Sequence, residues 1–237
     1  MRSVALLLLA VLCVSELNAT ELNDGVLTRI VKDFRDVGDE AKDQFSFLIA
    51  LDPGQCTSYQ ENLYLNCGKR SKLPSISKTP DDFNVSLNYM AVYPDKGQAC
   101  SEYKILFNKR EGKRVSEWFG KNIKVLQKGG CVIFFTENTP CTYKCFSGKP
   151  KTDIAAPLLS NPFDSWRTDG DIDVHKYFVY GEVYDIDKEK NKPWVIHHFQ
   201  CMDEFAVDPH GSFLFRQCQE NLLCRHCDRQ NDYCVNL

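Results

Sequence analysis

The sequence predicts an α/β protein in which helices cover both faces of a mixed five-stranded sheet. Helical and strand patterns alternate along the chain, as is typical of a sheet packed between helices. The apolar run at residues 131–136 is continuous rather than alternating, which indicates a central strand buried on both faces. The chain has 237 residues, enough for one domain with a substantial core.

The individual elements follow from periodicity and from the turn residues that interrupt it. Apolar side chains recur at helical spacing in residues 26–37, 99–109 and 115–127, and a fourth helix is predicted to begin within residues 139–146. Short runs rich in β-branched and aromatic residues predict strands at 45–51, 85–93, 131–136, 176–184 and 194–199. Residues 55–82 are polar and contain prolines, so we expect a long loop or hairpin there.

The N-terminus has the pattern of a secretory signal peptide over residues 1–19. Arg2 precedes an apolar run at residues 4–14, and small residues follow near Ser15 and Ala19. No other apolar run is long enough to span a bilayer, so we expect a secreted, extracellular protein without a membrane anchor. The sequence Asn84-Val-Ser is an N-glycosylation site at Asn84.

Two short segments carry the chemistry. Cys100-Ser-Glu102 opens a predicted helix, and Cys141 and Cys145 follow the central strand. Zinc in a hydrolytic site has three protein ligands and keeps the fourth position for a water, whose pKa it lowers to about 7. Removing an amine from a base also needs a proton-carrying carboxyl group that is not a ligand. The pattern therefore predicts Zn2+ bound by Cys100, Cys141 and Cys145, with Glu102 as the catalytic proton shuttle.

The cysteine count is compatible with this metal site. Of the 12 cysteines, Cys13 leaves with the leader, and eleven remain, an odd number that disulfides alone cannot use. Three zinc ligands leave eight disulfide candidates, although one free thiol explains the odd count equally well. The spacing of Cys56 and Cys67 indicates a hairpin bridge. The eight candidates are Cys56, Cys67, Cys131, Cys201, Cys218, Cys224, Cys227 and Cys234.

The alternative for the three proposed ligands is that they are half-cystines, the usual state of cysteine in a secreted protein. Glu102 favours zinc, because a disulfide bond does not require a carboxylate two residues along the same helix.

The segment F-F-T-E-N-T-P-C at residues 134–141 resembles the W-F-T-S-W-S-P-C segment of the AID/APOBEC enzymes. With its leader peptide, the chain resembles the secreted AID/APOBEC-like deaminases of vertebrates, within the cytidine deaminase superfamily. Two features depart from that pattern. Three residues rather than two separate Cys141 from Cys145, and Asn138 replaces the tryptophan of the relatives that act on polynucleotides. Side chains three and four apart share a helix face, so either spacing can direct both thiolates to one metal.

The resemblance implies a cytidine-deaminase-like three-layer sandwich. A deaminase-like domain would span residues 20–200, with residues 201–237 as a disulfide-rich C-terminal extension packed on it. The implied activity is hydrolytic deamination of cytosine in single-stranded nucleic acid, such as that of pathogens, in an immune role. Thr136, Glu137 and Asn138 approach the predicted pocket from the strand end and are the expected substrate contacts.

Two other functions stay open from the sequence. The missing tryptophan and the net charge of −3 also fit a deaminase of free nucleosides or other small amines. A disulfide-braced extracellular binding protein could keep the scaffold without turnover, although the intact Glu102 argues against it. Residues 104–128 contain eight lysines and arginines, which suit a phosphate-binding groove or, as we favour, a solvated helix face. Nothing in the sequence identifies a protein partner.

Overall fold

A mixed six-stranded sheet forms the centre of the computed structural model. The structure describes residues 22–39, 44–59, 89–92, 100–107, 129–147, 149, 153–160, 163, 174–184, 197 and 213–227. The strands are β1 (Ser46–Leu51), β2 (Tyr89–Val92), β3 (Gly130–Asn138), β4 (Val174–Glu182), β5 (Leu214–Gln217) and β6 (Arg225–His226). Their order across the sheet is β2-β1-β3-β4-β5-β6.

Strand directions confirm the predicted mixed sheet. β1 is antiparallel to both β2 and β3, whereas β3–β4 and β4–β5 are parallel and β5–β6 is antiparallel. Five strands have at least four residues, and β6 has two. β3 lies between β1 and β4, and its residues 130–136 are all buried, as the continuous apolar run predicts.

Helices pack on both faces of this sheet, which confirms the three-layer α/β architecture. The described helices are α1 (Asp24–Asp39), α2 (Pro53–Thr57), α3 (Ser101–Leu106) and α4 (Ala155–Leu158). One face, here called the α1 face, buries Ile30 of α1 together with Phe135. The other, the α3 face, buries Ile105 of α3 together with Phe134. Neighbouring residues of β3 belong to different layers because successive strand side chains point to opposite faces.

Most predicted elements within the described residues are confirmed, with shifted ends. The predicted helix at residues 139–146 is wrong, because residues 142–146 form turns around the carbonyl of Cys141. Of the predicted strand at 194–199, the structure describes only His197, which has helical backbone geometry. β5, β6 and the short helices α2 and α4 were not predicted, and α2 includes residues 55–57 of the predicted loop at 55–82. The helix at 115–127 lies outside the described residues.

The disulfides correct the one predicted pairing and agree with a disulfide-rich C-terminal region. Cys56 is bonded to Cys131, which ties α2 to β3, so the predicted Cys56–Cys67 bridge is wrong. Cys218 is bonded to Cys224, and Cys227 is also disulfide-bonded, in line with a disulfide-rich C-terminal region. The other disulfide candidates (Cys67, Cys201 and Cys234) lie outside the described residues.

Several predictions concern other parts of the chain that the structure leaves undescribed. These are the signal peptide at residues 1–19, the glycosylation site at Asn84 and the boundary between residues 200 and 201, and they stay predictions. Within the described ranges, no helix combines the length and the apolar character needed to cross a membrane.

Candidate metal and proton-transfer site

The short helix α3 buries Glu102 at the start of its first turn. Ser101, Glu102, Ile105 and Leu106 are all buried, and their spacing puts them on one side of the helix. Ile105 and Leu106 anchor that side in the core of the α3 face. Glu102 is consequently only 1% exposed, although it is a carboxylate.

The segment after β3 is held in place by the end of β4. The backbone N–H of Thr139 donates to the carbonyl of Glu182 at 2.7 Å, and the Thr139 hydroxyl accepts from the N–H of Tyr184 at 3.0 Å. The chain then turns, and the N–H of Cys145 donates to the carbonyl of Cys141 at 2.9 Å. This turn, rather than the predicted helix, brings the Cys141 and Cys145 sulfurs to 3.4 Å from each other.

Three sulfur atoms converge where the sequence predicted metal ligands. The sulfurs of Cys100, Cys141 and Cys145 all lie within 4.8 Å of one another. Cys100 and Cys145 are bonded to each other as a disulfide, with the Cys141 sulfur in contact with that of Cys145. The half-cystine alternative thus describes two of the three residues in this structure, and zinc ligation stays a prediction.

The donor set nevertheless fits zinc once the disulfide is reduced. Thiolates are the form of cysteine that binds metals, and soft thiolate ligands favour zinc. Zinc–sulfur bonds of about 2.3 Å in tetrahedral geometry separate two ligand sulfurs by about 3.8 Å. The Cys141 and Cys145 sulfurs, 3.4 Å apart, are already near that separation, whereas the bonded sulfurs of Cys100 and Cys145 would have to move apart after reduction.

Hydroxyl groups surround the Glu102 carboxylate. Thr136 Oγ1 donates to Oε1 at 2.7 Å, and Ser101 Oγ donates to Oε2 at 3.3 Å. Ser101 Oγ is in turn 2.6 Å from Ser46 Oγ. Burial raises the pKa of Glu102, and the hydrogen bonds from its own backbone, Thr136 and Ser101 oppose this rise. A raised pKa favours the protonated form of the carboxyl group, which is the form that can donate a proton.

The three expected substrate contacts have different environments. Thr136 is fully buried and donates a hydrogen bond to Glu102. Asn138, at the end of β3, is half-buried. Glu137 lies on the α1 face, where its carboxylate pairs with Arg35 of α1. Strand alternation turns its side chain away from Glu102, so the structure gives no support to a substrate contact here, and that contact stays a prediction.

Sequence reasoning missed Ser46 and Ser101 as members of the site. Ser46 lies directly opposite Thr136 in the β1–β3 pair, and both serines are fully buried. A buried serine needs a hydrogen-bond partner, so a serine at the start of an apolar strand weakly indicates a buried polar contact. The partner itself depends on a strand register that the sequence does not reveal.

A groove of about 310 Å³ lies on the other side of the sheet. It runs between α1 and the loop closed by Cys218–Cys224, with Lys32, Arg35 and Leu222 among its lining residues. Because it is on the α1 face, it is separate from Glu102 and the three sulfurs.

A family model covers the fold and the whole candidate site. The family described as Secreted Novel AID/APOBEC-like Deaminase 1 matches residues 24–236. The chain belongs to this family of AID/APOBEC-like deaminases, and the resemblance seen in residues 134–141 is confirmed. Neither a curated protein nor a solved structure matches the chain. The family name describes secreted proteins, and the disulfides fit an extracellular protein.

Proposed function

We propose that this protein is a secreted, zinc-dependent deaminase that converts cytosine to uracil in single-stranded nucleic acid and acts in immune defence. The reaction consumes one water and releases one ammonia for each cytosine. The observation that carries the proposal is the convergence of three cysteine sulfurs within 4.8 Å, in a chain whose neighbouring Glu102 is buried. Membership in an AID/APOBEC-like family supports the same chemistry.

Cys100, Cys141 and Cys145 would hold the metal in the reduced protein. Three protein ligands leave one tetrahedral position open, which is the arrangement of catalytic rather than structural zinc sites. When bound, zinc supplies Lewis-acid activation of the attacking water. Two of these cysteines form a disulfide in the structure, so the active protein requires this bond to be open.

Glu102 would carry protons from the attacking water to the ring nitrogen and to the leaving ammonia. The target base must be unpaired, because the reacting carbon is inaccessible in a duplex. Asn138, half-buried at the end of β3, is a proposed substrate contact. Tyr143 is 45% exposed on the turn between Cys141 and Cys145, with the Lys144 ammonium 5.9 Å from its ring centroid. An exposed ring beside a cation suits base stacking and phosphate attraction.

The decisive experiment measures bound zinc and conversion of cytosine to uracil by the protein prepared under thiol reductant. Single-stranded DNA, single-stranded RNA and free cytidine are the three substrates. We expect about one zinc per chain for the three-thiolate site. Glu102→Ala should retain zinc but lose roughly 100-fold or more of the rate, as expected for loss of a proton-transfer group. Cys141→Ser should lose zinc, whereas Glu220→Ala, at an exposed carboxylate, should change neither property.

A second candidate is an extracellular binding protein without turnover. The Cys100–Cys145 disulfide favours it, because oxidised cysteines cannot ligate zinc. A reduced protein that neither binds zinc nor converts any of the three substrates would support this candidate and contradict the deaminase. Conversion of cytidine alone would instead indicate a nucleoside deaminase.

A further inference from the structure

We infer that the groove between α1 and the loop at residues 218–224 binds an amphiphile with a single apolar chain and a carboxylate head group, such as a fatty acid. The groove lies on the α1 face, so this inference goes beyond the proposed deaminase activity and does not depend on it. Three features of the groove carry it: a fixed shape, two exposed leucines, and a lysine whose charge is available to a ligand.

The loop that forms one wall of the groove is fixed by contacts at both of its ends. The Cys218–Cys224 disulfide closes the loop, and the N–H of Cys224 donates to Oγ1 of Thr28 on α1 at 2.8 Å. Asn221 has a left-handed backbone with φ 61°, a conformation that asparagine tolerates in turns. These contacts define a groove of about 310 Å³, a volume at the lower end of the range for small-molecule sites.

Leu222 and Leu223 line the groove but are largely exposed to solvent. Their exposed fractions are 44% and 65%, and with Tyr143 they are the large hydrophobic residues exposed in the described part of the chain. Val31 of α1 is buried and contributes an apolar side chain to the facing wall. Each methylene group of a ligand that is buried against such a surface strengthens binding about fourfold. We therefore expect an apolar chain to lie along the leucines.

A lysine on α1 determines the charge of the head group. Lys32 lines the groove and is exposed, and its ammonium group has no hydrogen bond or ion pair with the residues that the structure describes. Arg35, the other cation of the groove, already donates to Glu137 and to the carbonyl of Cys218. Lys32 therefore matches an anionic head group. Glu220 on the loop wall would repel a dianion more strongly than a monoanion, which favours a carboxylate.

The residue types in the groove favour an amphiphile over a nucleic acid or a protein partner. Single-stranded nucleic acids stack their bases on aromatic side chains, and the described lining residues include none. Tryptophan, tyrosine and arginine contribute most of the binding energy in protein interfaces, where leucine is under-represented. Leucines beside cationic side chains are instead typical of surfaces that contact lipid chains and anionic head groups.

Isothermal titration calorimetry with the disulfides intact tests the ligand class, with decanoate below its micellar concentration as the probe. Decyltrimethylammonium has the same chain with the opposite charge, and octanoate has the same head group with a shorter chain. We expect decyltrimethylammonium to bind at least about fivefold more weakly than decanoate. Octanoate should bind about tenfold more weakly, because it buries two fewer methylene groups. No binding of decanoate, or equal affinity for decanoate and decyltrimethylammonium, would overturn the inference.

Substitutions of exposed side chains locate the bound amphiphile. Lys32→Met keeps an apolar stem and should weaken decanoate binding about threefold to fivefold without weakening that of decyltrimethylammonium. Leu222→Ser combined with Leu223→Ser should weaken binding of both amphiphiles about tenfold or more. Lys149→Met, at an exposed lysine that does not line the groove, is the matched control and should change neither affinity. Decanoate binding that the lysine and leucine variants leave unchanged would place the ligand elsewhere and refute the site.

Cosedimentation with vesicles of phosphatidylcholine and phosphatidylglycerol distinguishes a single amphiphile from a membrane surface. We expect the same small vesicle-bound fraction for the wild-type protein and for the variant with both leucines replaced. A protein that has no affinity for decanoate but binds these vesicles through the two leucines would have a membrane-docking surface, and the inference would be wrong. A protein that binds decanoate as expected but converts no substrate would overturn the proposed function alone.

Discussion

Replacing Glu137 with glutamine should destabilise the protein without changing its interaction with substrate. The Glu137 carboxylate pairs with Arg35 on the α1 face, and the two side chains are 23% and 12% exposed. Arg35 also donates to the carbonyl of Cys218 at 3.5 Å and lies 5.9 Å from the centroid of the Phe135 ring. The ion pair thus joins α1 to the end of β3 on the face of the sheet opposite the candidate site.

The size of the effect follows from this burial. A hydrogen bond between charged groups contributes about 1.5–3 kcal/mol, and breaking a fully buried pair costs about 3–5 kcal/mol. Because both side chains keep some contact with solvent, we expect a loss of about 2–3 kcal/mol in the free energy of unfolding. For a protein of this size, each kcal/mol lowers the melting temperature by about 2–4 °C, which gives a decrease of roughly 4–12 °C.

Thermal unfolding followed by circular dichroism, together with steady-state kinetics, measures both consequences. Glu220→Gln removes an exposed carboxylate from the loop between Cys218 and Cys224 and is the matched control, with no expected change. An unchanged melting temperature combined with a raised KM for Glu137→Gln would refute the structural role. It would support the prediction that Glu137 contacts the substrate.

Three further predictions test the packing, the substrate and the buried acid. Gly181→Ala should lower the free energy of unfolding by about 1–3 kcal/mol, because the new methyl group would lie 2.7 Å from the backbone oxygen of Glu137. Gly25→Ala is the control, because its methyl group would meet only a side chain, at 3.0 Å. Equal melting temperatures for the two variants would contradict this prediction. Tyr143→Ala should raise KM about tenfold for a single-stranded oligonucleotide through lost stacking but leave KM for cytidine unchanged, and an equal rise for both would contradict a role in stacking. Burial raises the pKa of Glu102 above its unfolded value of about 4.3, so the contribution of this carboxyl group to stability is complete below that value and is lost as pH rises through the folded value. In the metal-free protein, the Glu102→Gln variant should therefore gain stability relative to wild type as pH rises. Urea unfolding at several pH values measures this, and a difference in the free energy of unfolding between the two proteins that does not change with pH would contradict the prediction.

The candidate site was predictable where its residues are close in sequence. Glu102 follows Cys100 by two residues and Cys145 follows Cys141 by four, so a local motif contains most of the information. Glu137 shows the limit of this reasoning. Strand alternation places its side chain on the opposite face of the sheet from those of residues 136 and 138. Only the packing of α1 shows which face holds Glu102 and which holds Arg35.

Long-range pairing explains the other differences between the predicted and observed fold. Cys56 is closer in sequence to Cys67 than to Cys131, yet the fold brings it to Cys131, 75 residues away. Disulfide connectivity depends on the tertiary structure and cannot be read from spacing. β5 was not predicted because it is only four residues long and ends with two polar residues, Arg216 and Gln217. Both are nevertheless buried. The Arg216 guanidinium lies 5.7 Å from the centroid of the Tyr177 ring, a contact across strands that no local pattern shows.

The surroundings of Glu102 also bear on the choice between a deaminase and a binding protein. Among the described residues, its side-chain hydrogen-bond partners are the hydroxyls of Thr136 and Ser101, and burial opposes its ionisation. A buried carboxylate without a cationic partner lowers stability at neutral pH, and an apolar or amide side chain would serve a purely structural scaffold better. Retaining a destabilising group is expected where function requires it. The burial of Glu102 therefore favours proton transfer over a passive scaffold, and reduction of the Cys100–Cys145 disulfide is the condition under which that chemistry can be measured.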